Sequence, residues 1–280
     1  MANNTSFRLY RYQLLPIDRH SDDLWDSRTV EELLADKNSI FARSIPSVGD
    51  YRHRGAELSV QVDKSGEEAF VVRLAPGRFL TRETADFRSE QIEHWPHVSA
   101  IILNRPDEQY LVVQERQAAF ASTDTVIKVI EKATRGALES AGLRLRVEAM
   151  FKESYFWSLV SEFHHRITSV EFEFITPNMA NISGSLSASL KGLSKETNAS
   201  KSELALQSDA DSALKLSEEN SMVKGLVEYT SEGGGDITIK VRGLRKKFHT
   251  RNSPREIHIG DLELSGPAEQ VAKIVRSLIS

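Results

Sequence analysis

The sequence predicts an α+β fold: an antiparallel, hairpin-rich sheet packed by helices, followed by a smaller C-terminal α+β region. Three observations carry this expectation. Pairs of apolar runs are separated by only a few turn-forming residues, which suits antiparallel hairpins because parallel pairs need long crossovers. Segments of strict alternation stand beside segments with apolar residues at i, i+3 and i+4, so strand and helix periodicities are both present. The length of 280 residues, 40% hydrophobic and 27% charged, suffices for one large or two ordinary cores.

Residues 7–15, FRLYRYQLL, interleave aromatic and β-favouring side chains with arginines, which predicts an opening strand. SRTVEELLADK reads as a short helix with Ser27 as its N-cap. From Gly55 the pattern turns to hairpins. AELSVQV and EAFVVRL flank the turn residues DKSGE, and HVSAIIL and QYLVVQE flank NRPDE. Ser122 begins a helix whose apolar stripe runs from Val126 and Ile127 through Ile130 to Leu138, and Gly142 stops it. LRLRVEAMF alternates as a strand. Phe156, Leu159, Phe163 and Ile167 recur at helical spacing, which predicts a helix as far as Ile167, and TSVEFEFITP returns to strand alternation.

Residues 179–221 change character, with eleven serines and no aromatic residue. They read as a polar connector, helical in places where Leu186, Leu190 and Leu193 recur at i, i+4 and i+7. A helix over residues 223–228, the run EGGGD, a strand DITIKV, a second strand EIHIGDLEL and a last helix opened by Pro267 complete the chain. The predicted organisation is an N-terminal α+β domain over residues 1–177, a connector over 178–222 and a C-terminal region over 223–280.

Composition narrows the chemistry. The absence of cysteine excludes disulfides, thiolate metal sites and cysteine nucleophiles, and suits a reducing compartment. No apolar run has signal-peptide or bilayer-spanning length, which predicts a soluble, cytoplasmic protein. No cofactor motif is present. Gly233, Gly234 and Gly235 lie between a helix and a strand, the reverse of the order a phosphate loop needs, so they read as a turn. His94 and His97 have ligand-like spacing but no third ligand, and the adjacent His164 and His165 point apart on a helix, so no metal site is predicted. No G-x-S-x-G motif or other nucleophile set can be named.

One catalytic pattern can be weighed. Pro106-Asp107 followed by Glu115-x-Gln117 resembles a degraded PD-(D/E)xK nuclease motif, in which two carboxylates hold Mg²⁺ and a lysine polarises water. Glutamine stands where that lysine should be. Pro106 and Asp107 also suit a turn, and Glu115 a solvated strand position, which is the reading preferred here.

The strongest functional signal is KVRGLRKKFHTR. Lys240, Arg242, Arg245, Lys246, Lys247 and Arg251 concentrate positive charge in a chain of net charge −4. Such a cluster either blunts a strand edge or contacts phosphates. The arginines favour phosphate, since a guanidinium binds it bidentately. YRHRG at 51–55, with Arg73, Arg78, Arg82 and Arg88, supplies further basic positions that folding could bring alongside.

The layout also resembles that of the RexA-like phage-exclusion proteins and, more loosely, the KwaB component of the Kiwa defence system. The similarity lies in the PHVSAIILNRPDEQYLVVQ hairpin and its following helix, then SVEFEFITPN, a polar segment with scattered leucines, and the basic strand region after SEGGGDITIK. It implies a bacterial or prophage protein that binds DNA without sequence preference in anti-phage defence, acts as a homodimer and engages a defence-system partner. RNA shares the phosphate chemistry. The expected function is thus that of a DNA-binding sensor and not a catalyst. The alternatives are an Mg-dependent nuclease using Asp107 and Glu115, and an interaction module docking an acidic protein.

Overall fold

A computed structural model describes residues 4–17, 29–45, 51–175, 196–197 and 199–279, and the fold is α+β as expected. Two compact units divide the chain, neither continuous in sequence. One holds residues 1–8, 35–145 and 256–280, the other residues 9–34 and 146–255. These units cut across linear boundaries at 177 and 223, because strands on both sides of residues 178–222 pair into one sheet.

The first unit is built on a sheet of β1 (Asn4–Pro16, as far as Arg8 in this unit), β2 (Arg52–His53), β3 (Ala56–Ser65), β4 (Ala69–Pro76), β7 (Val98–Asn104), β8 (Gln109–Gln114) and β14 (Glu256–Gly260). Their spatial order is β14–β1–β8–β7–β4–β3–β2. Both predicted hairpins form, β3 with β4 and β7 with β8, each antiparallel. Every residue of β7 is buried, so both faces of that strand are covered, while β3 alternates over its first residues. Two helices flank the sheet. The helix α2 (Thr123–Ser140) is capped by Ser122, whose hydroxyl accepts the Thr125 N–H at 3.3 Å, and Gly142 leaves it at positive φ, both as predicted. The last helix (Ala268–Ile279) follows Pro267 and buries Val271, Ala272 and Val275.

A third hairpin, β5 (Arg78–Glu83) with β6 (Ser89–His94), carries no sequence signal strong enough to predict it. Helix α1 (Val30–Ser44) begins at a capping box in which the Glu32 N–H donates to the Thr29 hydroxyl and the Thr29 N–H to the Glu32 carboxylate. The cap expected at Ser27 lies outside the described residues. The strand expected from LRLRVEAMF forms as β9 (Leu143–Ala149).

The second unit holds a four-stranded antiparallel sheet, β11 (Lys201–Gln207), β10 (Ile167–Ile175), β12 (Gly235–Val241) and β13 (Phe248–His249), in that spatial order. Alternation puts Val170, Phe172 and Phe174 of β10 beside Ile237, Ile239 and Val241 of β12 on one face. That face buries against Phe156 and Leu159 of α3 (Glu153–Glu162) and Val223, Leu226 and Val227 of α4 (Ser221–Tyr229). Each such side chain contributes about 1.5–3 kcal/mol of burial.

Three sequence expectations need correction. The helix expected to reach Ile167 stops at Glu162, and 163–166 is a turn closed by the Arg166 N–H on the Phe163 carbonyl at 2.8 Å, with His165 at φ +64°. Phe163 and Ile167 both reach the core, one from the helix end and one as the first strand residue, so the apolar spacing is satisfied without a helix. The strand expected over 256–264 ends at Gly260, because Glu263 accepts the Gly260 N–H at 2.9 Å and nucleates the short helix α5 (Asp261–Leu264). Within the expected connector, residues 201–207 form β11. Leu186, Leu190 and Leu193 lie outside the described residues. With these assignments the last helix, Ala268–Ile279, is α6. Among the described residues no helix is long and apolar enough to cross a membrane.

Candidate nucleic-acid interface

The basic run is positioned by β12. That strand is held tightly at its start: a Cβ on Gly235 would stand 1.8 Å from the Glu173 carbonyl oxygen, so only glycine lets the backbones meet there. The strand ends at Val241, and Gly243 at φ +81° turns the chain back towards β13. The Leu244 N–H closes the turn on the Val241 carbonyl at 3.2 Å. Phe248 anchors the returning chain with its ring 5.1 Å from that of Phe163. Residues 242–247 thus form a hairpin loop held at both ends and exposed along its length.

The loop lies beside the turn that ends α3. Arg242 and Arg166 are tied reciprocally: the Arg242 N–H donates to the Arg166 carbonyl at 2.8 Å, and Arg166 Nη2 to the Arg242 carbonyl at 3.0 Å. The Arg166 guanidinium lies 5.9 Å from the centre of the Phe163 ring. His164 and His165 occupy the same turn, their rings 3.6 Å apart, so they belong to this basic end of the sheet and do not lie on a helix. Arg166 is the residue that sequence reasoning missed. Its signal was hidden, because 163–166 read as helix.

The six cations do not share one environment. Arg245, Lys246 and Lys247 are exposed on the loop, and Lys240 is exposed on the last part of β12. Arg242 Nη2 also donates to the Ser212 carbonyl. Among the described residues none of these five has a carboxylate within ion-pair distance. Asp209 and Asp211, near Ser212, are the acidic groups on the neighbouring turn.

Arg251 stands apart. Its Nε and N–H donate to Asp236 at 2.7 and 3.1 Å, and its guanidinium reaches Glu173 at 3.9 Å. Burial works to lower its pKa, yet Asp236, with Glu148 and Glu173, holds it above the usual value. Asp236 is the second residue of β12 and the loop follows the strand's end, a separation of about 17 Å along the strand. Arg251 is therefore a partner of the buried Asp236 and is not part of the loop cluster.

The other candidates separate in the same way. Asp107 precedes β8 and Glu115 follows it, so about 20 Å of strand stands between them, and Glu115 pairs with Arg8 at 3.0 Å. One metal ion cannot bridge these two carboxylates. Arg52, Arg73 and Arg82 each pair within the first unit, with Glu57, Asp63 and Glu90, and Arg78 donates to the Ala119 carbonyl at 2.7 Å. Glu171, Glu173 and Glu203 bring carboxylate oxygens within 4.8 Å of one another. However, Lys201 Nζ lies 3.0 Å from both Glu173 and Glu203 and supplies the positive charge a metal would bring. No family model matches the chain, and no curated protein or solved structure shows significant similarity to it.

Proposed function

We propose that this chain binds nucleic-acid phosphates without sequence preference, DNA foremost, through the loop 242–247 and the flanking Lys240 and Arg166. The observation that carries this reading is the exposure of Arg245, Lys246 and Lys247 on a loop anchored at both ends, with no carboxylate partner among the described residues. An anchored loop loses less entropy on binding than a free basic tail, and each phosphate it contacts releases condensed counterions. Arginines and lysines that reach only phosphates read charge and spacing, not base edges.

The resemblance in sequence layout to RexA-like proteins and, more loosely, to KwaB supports a role in anti-phage defence. The chemistry on the loop supports a binding component, not a catalyst, of such a system. Fluorescence anisotropy with two duplexes of unrelated sequence tests the proposal. Equal affinity for both, lost together when Arg245, Lys246 and Lys247 become alanine, is the expected result. A folded triple variant that binds as well as the parent would overturn it.

A further inference from the structure

The first unit carries a cleft of about 970 Å³ against its sheet, at the upper end of small-molecule sites. Its floor is polar where the neighbouring strand positions are apolar. Gln61, Arg73 and Ser99 are successive cross-strand partners on β3, β4 and β7, and Gln114 ends β8. Ser99 and Gln114 are buried. The Gln114 side-chain oxygen accepts the Ser99 backbone N–H at 2.8 Å. This leaves the Gln114 amide nitrogen and the Ser99 hydroxyl without a protein partner among the described residues. Both residues line the cleft, where water or a ligand can complete these donors.

The charges divide unevenly. Each carboxylate lining the cleft is already engaged: Asp63 by Arg73, Glu115 by Arg8, and Asp261 by the Thr5 hydroxyl at 3.0 Å. Arg116, in contrast, has no carboxylate partner among the described residues, and its Nη1 donates to the His97 carbonyl at 3.0 Å. Burial, then Arg116 and Arg73, pushes the His97 pKa down, as expected beside two guanidinium groups. The Arg116 end of the cleft therefore combines a guanidinium that has no carboxylate partner among the described residues with the Ser99 and Gln114 donors.

We infer that this cleft binds a small phosphate monoester with a hydroxylated body. The phosphate sits against Arg116, the Ser99 hydroxyl and the Gln114 amide, and the hydroxyl groups face Gln61 and Asp63. A guanidinium fork with a hydroxyl and an amide matches the three free oxygens of a phosphate monoester. The apolar lining typical of drug-like sites is largely replaced here by side chains that hydrogen-bond a sugar.

Calorimetric titration of ribose 5-phosphate and of ribose into the full chain, at constant ionic strength, tests this. Ribose 5-phosphate should bind at least about tenfold more tightly than ribose, and Arg116→Gln should remove about tenfold or more of that affinity. Ser99→Ala, a smaller change at a buried position, should weaken binding in the same direction, and the Arg245, Lys246 and Lys247 triple-alanine variant should leave it unchanged. No detectable binding of ribose 5-phosphate to the folded parent would overturn the inference. So would unaltered affinity in folded Arg116→Gln, or loss of binding in the triple variant, which would move the ligand to the basic loop.

Discussion

Asp236 is only 2% exposed at its side chain, yet it accepts hydrogen bonds from the Thr250 hydroxyl at 2.9 Å and from Arg251 through both its backbone N–H and its Nε. His249 Nδ1 lies 3.3 Å from the same carboxylate. Removing it strands several donors around a buried position, so Asp236→Ala should cost about 3–5 kcal/mol in urea unfolding. Alanine at Arg245, Lys246 and Lys247 should change stability by less than about 0.5 kcal/mol each. A smaller cost for Asp236→Ala than for the loop variants would remove the structural role assigned to Arg251. That role was illegible in the sequence, because the partner lies 15 positions upstream and six cations in a row look alike until one finds a carboxylate. Glu153 offers a second test. Burial first, then Glu228 and Glu232, raises its pKa, with the Ser231 hydroxyl and Lys224 opposing. A carboxyl with a raised folded pKa stabilises the fold fully below its unfolded value of about 4.3, and that contribution is lost as pH rises through the folded value. Glu153→Gln should therefore raise the melting temperature at neutral pH and give no gain in acid below about pH 4. Equal melting temperatures at neutral pH would contradict the assignment.

Among the elements, those with strong local signals were legible. The two short-turn hairpins and the Ser122-capped helix follow from turn chemistry and from a stripe that only one periodicity satisfies. Elements that depend on tertiary partners were not. β11 is polar and mostly exposed, and it is a strand because β10 supplies backbone partners from Ser169 to Ile175. The hairpin β5–β6 exposes nearly all its residues, so no buried face marks it in the sequence. The glycines before β12 read as a loose turn, whereas Gly235 is a point of backbone contact. Gly235→Ala should force β12 away from β10 and destabilise the second unit by more than about 4 kcal/mol, or prevent its folding. A circular-dichroism melt indistinguishable from that of the parent would show that the contact is not as close as described.

Taken over the whole chain, a net charge of −4 discourages indiscriminate adhesion to nucleic acid, so the binding we propose rests on one concentrated basic region. The sequence located that region but drew it too widely at one end and too narrowly at the other. Arg251 leaves the cluster for Asp236, and Arg166 joins it through a turn that periodicity reads as helix. The cleft of the first unit was not legible, since Ser99, Gln114 and Arg116 meet Arg73 only through strand register. The central claim is that the loop 242–247 contacts phosphates, and the salt dependence of DNA affinity tests it most directly. Each phosphate contact contributes about 0.9 to the slope of log affinity against log salt, so alanine at Arg245, Lys246 and Lys247 should reduce that slope by roughly 2 to 3 on duplex DNA. An unchanged slope in the folded triple variant would contradict the account and leave the loop a solvated strand end.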